Sequence, residues 1–345
     1  MSAAVPAAAH GSPPPGAFAI SFADVEAAAR RIDGHAVATP ILTSPDLDAR
    51  TGARVLVKPE PLQRTGSFKF RGAYNRISQI PEDSRSRGVV AYSSGNHAQG
   101  VACAAQLFGI AATIIMPKDS PKLKIDNTRS YGADVILYDR FGESREAIGQ
   151  RISAETGAIL VPPYDDAAVM AGQGTIGLEM VRQAAGLGVA LDVLLCCCGG
   201  GGLMSGVATA FAHLSPQTRL YAVEPENFDD TKRSLERGER VANAPAEMSI
   251  CDAIVTPTPG QLTFPINQAR LSGGLAVSDQ EAAEAVAYAA RVLKLTVEPG
   301  GAVALAAALS GKLDLKGLVV GVVISGGNID PALHAAIVAA DGLPG

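Results

Sequence analysis

Two short stretches of this chain have residue types and spacing suited to chemistry. In "RTGSFKFRGAYN", Arg64 to Asn75, Lys69 stands between Phe68 and Phe70, with Gly66 and Gly72 nearby. A lysine normally keeps its ammonium in water, with a pKa of about 10.4. Apolar walls penalise the charged form and push that pKa down, which turns the amine into a nucleophile. The stretch is either an ordinary strand or helix edge, or a lysine brought indoors to react. The second stretch is "CCCGGGGLMSG". Gly199, Gly200, Gly201 and Gly202 follow an apolar run, and "LMSGVATAFAHL" behind them can form a helix. Glycines let backbone N–H groups turn inward, and a helix N-terminus adds partial positive charge, so together they can cradle a phosphate.

The type of phosphate is narrowed by what fails. The dinucleotide pattern G-x-G-x-x-G started at Gly199 ends on Met204, and started at Gly200 on Ser205. The Walker pattern started at Gly201 reaches Gly206, but Val207 follows where lysine is needed. Neither NAD nor ATP is favoured, and a glycine-rich turn serving close packing stays open. A reactive lysine beside a phosphate cup without a nucleotide motif suggests pyridoxal 5'-phosphate. The amine would form a Schiff base with its aldehyde and the cup would hold its phosphate.

The surrounding elements would position these groups. "ARVLVKPE", "RGVVAYSSG", "AATIIMP", "ADVILYD", "AILVPP", "LDVLLCCC" and "GLVVGVVIS" read as strands. "NHAQGVACAAQLFGI", "KLKIDNTRSYG" (closed by Gly132) and "SREAIGQRISAETG" read as helices between them. "SDQEAAEAVAYAARVL" opens with a capping box, Ser278 and Glu281. Continuous apolar strands alternating with helices predict parallel sheets covered on both faces. No fixed repeat is visible.

Composition excludes several classes. The chain has 345 residues, enough for two domains or one large α/β domain. Its net charge, 29 − 34 = −5, leaves no basic footprint for nucleic acid or acidic membranes. No run of about 18 apolar residues predicts a spanning helix. The five cysteines, Cys103, Cys196, Cys197, Cys198 and Cys251, fit neither a disulfide framework nor zinc spacing. They read as small fillers of a buried strand in a reducing, cytoplasmic setting. "MSAAVPAAAHGSPPPG" lacks the basic start and apolar core of a signal peptide and reads as a disordered tail.

The blocks "KPEPLQRTGSFKFRGA", "SSGNHAQG", "AGQGTIGLE", "GGGGL", "EPGGA" and "VVISGGN" resemble, in order, those of PLP-dependent serine/threonine dehydratases. These are fold-type II enzymes (tryptophan synthase β-like, with two open twisted sheets flanked by helices), related to serine racemases. The likeness covers roughly residues 20 to 335. It implies residues 20–84 and 161–345 as a large cofactor domain, 85–160 as a small mobile domain inserted in it, and 1–19 as tail.

The same resemblance assigns roles. Lys69 would be the Schiff-base lysine and move the α-proton, with Phe68 against the ring. Ser94 would act on the opposite face, protonating the departing hydroxyl or the α-carbon. Asn96 would meet the phenolic oxygen, Ser325 the pyridine nitrogen, and Gly199–Gly202 with Leu203 the phosphate. Glu298, in "EPGGA", joins the cofactor set. Ser93, Ser94, Gly95, Asn96 and His97 precede a helix and suit the substrate carboxylate, with His97 shaping the loop rather than acting as base. A neutral serine at the ring nitrogen makes a mild electron sink, which suits β-elimination more than transamination. Glu224, Asp230 and the carbonyl of Phe228 look like a Mg²⁺ or Ca²⁺ site of structural or activating role.

The implied reaction is loss of water and ammonia from a small β-hydroxy amino acid, L-threonine or L-serine first. Alternatives on the same fold are threo-3-hydroxyaspartate, a phenylserine, a hydroxyectoine-pathway intermediate, or serine racemisation. A hydroxyaspartate substrate would need a cation near its side chain, with Arg145 the first candidate. Tyr164 stands where racemase-like members often have asparagine, which leans away from racemase. A β-replacement enzyme and a non-enzymatic binder are the remaining rivals. Family members are commonly dimers or tetramers, and the resemblance implies the same. Only Ile329 to Gly345 follow "ISGGN", so a C-terminal regulatory domain and isoleucine feedback are not expected.

Overall fold

A computed structural model of the chain describes residues 18–244 and 249–343. The expected tail therefore lies outside the described residues, apart from Phe18 and Ala19. Nine strands run in chain order: β1 (Arg54–Pro59), β2 (Val89–Tyr92), β3 (Ala112–Pro117), β4 (Asp134–Tyr138), β5 (Ile159–Leu160), β6 (Val193–Cys197), β7 (Arg219–Pro225), β8 (Gly273–Val277) and β9 (Val319–Ile324). They form two parallel sheets, ordered β1-β9-β6-β7-β8 and β4-β3-β2-β5. The smaller sheet uses only the chain between β1 and β6; the larger is closed by strands from both ends.

Burial explains the strand sequences. All five residues of β6 are buried, and in β9 only Val319 is partly open. Both strands lie inside the sheet, and the helix Pro299–Leu309 packs across them. A parallel strand covered on both faces must be apolar throughout. The capping box forms as expected: Ser278 Oγ accepts from Glu281 N, and Glu281 accepts from Ser278 N. Two strands depart from expectation. β4 is not covered on both faces: Ile136 and Leu137 are exposed, because β4 is an edge strand. β5 holds only two residues, since Pro162 and Pro163 cannot donate to a ladder.

A buried ion network fixes the helix that begins at Lys69. Arg71, in helix Lys69–Ile77, pairs with Glu60 at 2.8 Å, both fully buried, and with Glu179 of helix Ala167–Gly186. Lys58 of β1 reaches Glu179 and the carbonyl of Thr39, both at 2.6 Å. Burial alone would raise the Glu60 pKa, but Arg71 more than offsets it and holds the carboxyl below its ordinary value. Paired charges of this kind are tolerated inside a protein because each partner supplies the other's missing solvation.

Candidate active site

Strand ends from both sheets converge on one pocket. β2 runs into Ser93, β6 into Cys198 and Gly199, and β9 into Ser325, and all of these line it. Crevices outside the carboxyl ends of parallel strands are where α/β folds bind ligands. Of the anticipated residues, Phe68, Lys69, Ser93, Ser94, Asn96, His97, Arg145, Gly199–Gly202, Leu203 and Ser325 line this wall. Gly95, next to Asn96, and Glu298, bonded to the Asn96 amide, stand directly behind it. Glu224, Phe228 and Asp230 lie elsewhere.

Lys69 is brought to Ser325 by the backbone. Phe68 N donates to Ser325 O at 3.0 Å, and Gly327 N donates to Gly66 O at 2.9 Å. This stitching holds the start of helix Lys69–Ile77 against the exit of β9. The Lys69 amine donates to Pro163 O at 2.7 Å and lies 5.2 Å from the Phe68 ring centre. Burial lowers its pKa to about 8, with Arg145 pushing the same way and Cys197 and Glu298 opposing. The amine is therefore close to its nucleophilic form at neutral pH.

The glycine run makes a tight turn into helix Gly202–Leu214. Gly201 has φ +90°, a conformation glycine adopts at little cost, and a Cβ there would stand 2.7 Å from Thr263 Oγ1. A side chain at Gly200 would collide with the Tyr164 ring, which packs directly on the turn. The helix has no side-chain cap, and the amides of Gly199, Gly200 and Gly201 find no acceptor among the described residues. Unpaired amides at an uncapped helix start suit an anion. With the Lys69 amine and the Ser325 hydroxyl on the same wall, this donor set fits pyridoxal phosphate.

The Ser93–His97 loop leads into helix Asn96–Leu107. Ser93 Oγ accepts from Gly95 N at 3.1 Å. The buried His97 ring holds Val161 O at 2.9 Å through Nε2. Burial first, then the Lys69 charge, lower its pKa to about 3, so the ring stays neutral. Asn96 Nδ2 donates to Glu298 Oε1 at 2.5 Å, and Asn96 Oδ1 accepts from Asn328 at 2.8 Å. Arg145 stands with its guanidinium 5.3 Å from the Tyr92 ring centre and pairs with Glu146 at 2.8 Å. Burial would lower its pKa, but Glu146 more than offsets this.

Sequence reasoning missed Lys124, Asp252 and Tyr92, and took Cys197 for filler. All four line the pocket. Lys124 carried a weak signal: it shares a helical face with Ile125 and Thr128, the buried face of helix Lys122–Ser130.

Outside the pocket, both Glu224 oxygens accept backbone N–H groups, from Thr231 at 3.0 Å and Lys232 at 2.8 Å. Asp230 Oδ1 accepts from Asn243 at 2.7 Å, while its buried Oδ2 has no partner among the described residues. Burial raises the Asp230 pKa to about 7 and, with Asp230 beside it, raises that of Glu224. An orphaned buried oxygen beside a second carboxyl fits a hard cation. Among the described residues no cluster of three or more His, Cys, Asp or Glu side chains could hold one, so carbonyl and water oxygens would have to complete the shell. The five cysteines are free and buried. Among the described residues no helix is long and apolar enough to cross a membrane.

Comparison with known proteins gives consistent results. The profile of the family described as "Pyridoxal-phosphate dependent enzyme" matches residues 32–326. The chain is 45% identical over 317 residues to an L-threo-3-hydroxyaspartate ammonia-lyase of Pseudomonas sp, covering 92% of this chain and 98% of that one. It is 44% identical to an L-threonine ammonia-lyase of Thermotoga maritima, covering 90% of this chain and 76% of that one. Among solved structures, a maize serine racemase superposes with a TM-score of 0.87 at 36% identity, covering 91% of this chain and 95% of that one. A bacterial-type threonine deaminase structure superposes with a TM-score of 0.85 at 44% identity, covering 90% of this chain and 99% of that one.

Proposed function

The chain belongs to the pyridoxal-phosphate dependent enzymes, and we propose that it is an ammonia-lyase acting on small β-hydroxy amino acids, with L-threo-3-hydroxyaspartate preferred over L-threonine and L-serine. Arg145 carries the choice of substrate. Its guanidinium is on a wall that needs no second cation for a neutral side chain, and its partner Glu146 is half-exposed and can be exchanged for a ligand. The hydroxyaspartate ammonia-lyase relative supports the same reading.

Pyridoxal phosphate, when bound, supplies the electron sink that loosens the substrate's α-proton. Lys69, freed by the incoming substrate amine, takes that proton. The loop amides before helix Asn96–Leu107 receive the α-carboxylate, and Arg145 receives the second carboxylate. Ser94 delivers a proton to the departing hydroxyl. Ser325 offers the ring nitrogen a neutral hydroxyl, which keeps the sink mild and favours elimination. Residues 85–160 act as a small domain that closes and excludes water. Loss of water gives an enamine, and its hydrolysis gives oxaloacetate and ammonia; threonine would give 2-oxobutanoate and serine pyruvate. Glu224, Asp230 and the Phe228 carbonyl hold Mg²⁺ or Ca²⁺ in a structural role. The buried free thiols suit a reducing cytoplasm.

The test is product release by purified, cofactor-loaded protein. Oxo acid and ammonia should appear in equal amounts, and Lys69→Ala should release neither. Turnover retained by Lys69→Ala would overturn the role of that lysine. No oxo acid from any of the three amino acids would overturn the reaction.

A further inference from the structure

We propose that Lys124 is a positioning residue of the cofactor pocket: acting through Glu298, it fixes the Asn96 amide so that one N–H faces the ligand. This rests on the reading of the pocket as a pyridoxal-phosphate site, but not on the choice of substrate.

Lys124 occupies an unusual place for a lysine. It is 3% exposed, on a helix otherwise rich in polar residues. A lone buried ammonium would give up its proton. Here its amine meets Asp252 Oδ2 at 3.0 Å and Glu298 Oε2 at 3.4 Å. Burial lowers its pKa, and the two carboxylates more than offset that. The charge is retained, and it acts inside the protein rather than on solvent.

Glu298 passes the effect on. Its second oxygen, Oε1, accepts from Asn96 Nδ2 at 2.5 Å. Asn96 Oδ1 in turn accepts from Asn328 Nδ2, which also donates to Thr65 O at 2.9 Å. Asn328 is thus committed as a donor and Glu298, while ionised, as an acceptor. Between them the Asn96 amide has one orientation. Its nitrogen carries two hydrogens; Glu298 takes one, and the other is left for the pocket that Asn96 lines. A phenolic oxygen there would receive that hydrogen in its ionised form.

Removing the Lys124 charge would undo this orientation. Burial pushes the Glu298 pKa up, and Lys124 is the foremost influence pulling it back. Asp252 pushes it up, and the Lys69 amine and the Cys197 and Cys251 thiols also feel its charge. Without Lys124, Glu298 takes a proton, its bond to Asn96 falls from charge-assisted to neutral, and either amide orientation becomes acceptable. Gly95 is part of the device, since a side chain there would collide with Lys124 Cδ. That contact ties the loop carrying Asn96 to the lysine stem.

The test is a pH titration of the bound cofactor's visible absorbance in holoenzyme, with melting temperature measured alongside. Lys124→Met should move the titration midpoint upward by about one unit, because the ionised phenolic oxygen loses its donor. Lys124→Arg should restore the midpoint. Glu298→Gln, nearly isosteric, should reproduce the shift and serves if Lys124→Met does not fold. The double variant should shift no further than either single one, because Lys124 acts only through Glu298. A wild-type titration in Lys124→Met, a wild-type titration in Glu298→Gln, or additive shifts in the double variant would overturn the proposal. Normal titration shifts with no oxo-acid release by the wild type would sink the lyase reading and leave this one standing.

Discussion

Replacing Arg145 by methionine separates an acidic substrate from a neutral one. The methionine stem can keep its packing on Tyr92, while the charge is lost. Glu146 is not stranded, because its side chain is 49% exposed. A hydrogen bond to a charged group is worth about 1.5–3 kcal/mol, and a guanidinium can offer a carboxylate two. Two features reduce that sum. The Arg145 side chain is 26% exposed, and it must loosen its existing bond to Glu146. About 2–3 kcal/mol should remain, which is about 30- to 150-fold in kcat/KM. The assay is the initial rate of oxo-acid release at substrate concentrations below KM. Hydroxyaspartate should lose that factor, and threonine should change by less than about threefold. An equal fall for both would mean that Arg145 serves something the substrates share. No fall for either would remove it from the substrate site.

Three further outcomes follow from buried charges. The Lys69 amine has a pKa of about 8 in the folded apoprotein and about 10.4 unfolded. The unfolded state therefore binds more protons between those values, and apoprotein stability rises with pH across that window. Lys69→Met apoprotein should melt above the wild type at pH 7, and the difference should fade toward pH 10; a gap independent of pH would contradict the shift. Arg71→Leu leaves Glu60 buried and unpaired and should cost about 3–5 kcal/mol in urea unfolding, whereas an unchanged midpoint would mean Glu60 finds another counter-charge. Millimolar Mg²⁺ or Ca²⁺ should raise the melting temperature of metal-stripped protein but not of Asp230→Asn. No rise in the unsubstituted protein would mean that Asp230 stays protonated instead of ligating.

Much of the pocket could be read from the chain because its parts sit at strand ends. Lys69, the Ser93–His97 loop, Gly199–Gly202 and Ser325 each follow or precede an apolar run, and a parallel sheet gathers such ends on one side. Lys124 could not be read in this way. It meets Asp252 and Glu298 across 128 and 174 residues, and "KLKIDNTRS" looks like a solvated helix. Glu298 was assigned to the cofactor by resemblance, yet it stands behind Asn96 and reaches the pocket only through it. Cys197 looked like strand filler, and it is buried as expected, but it sits where β6 opens onto the pocket. β4 was read as covered because "VILY" is apolar; its edge position, a property of the whole sheet, leaves Ile136 and Leu137 exposed. Local patterning reports element type, while partners distant in sequence and position within a sheet are set by the assembled fold.

The most direct measurement gives cofactor-loaded protein an equimolar mixture of L-threo-3-hydroxyaspartate, L-threonine and L-serine and follows all three by proton NMR. Hydroxyaspartate should disappear first, with oxaloacetate and ammonia appearing in equal amounts. Threonine consumed while hydroxyaspartate persists would contradict the substrate assignment, and isomerisation without oxo acid would contradict the lyase reaction itself.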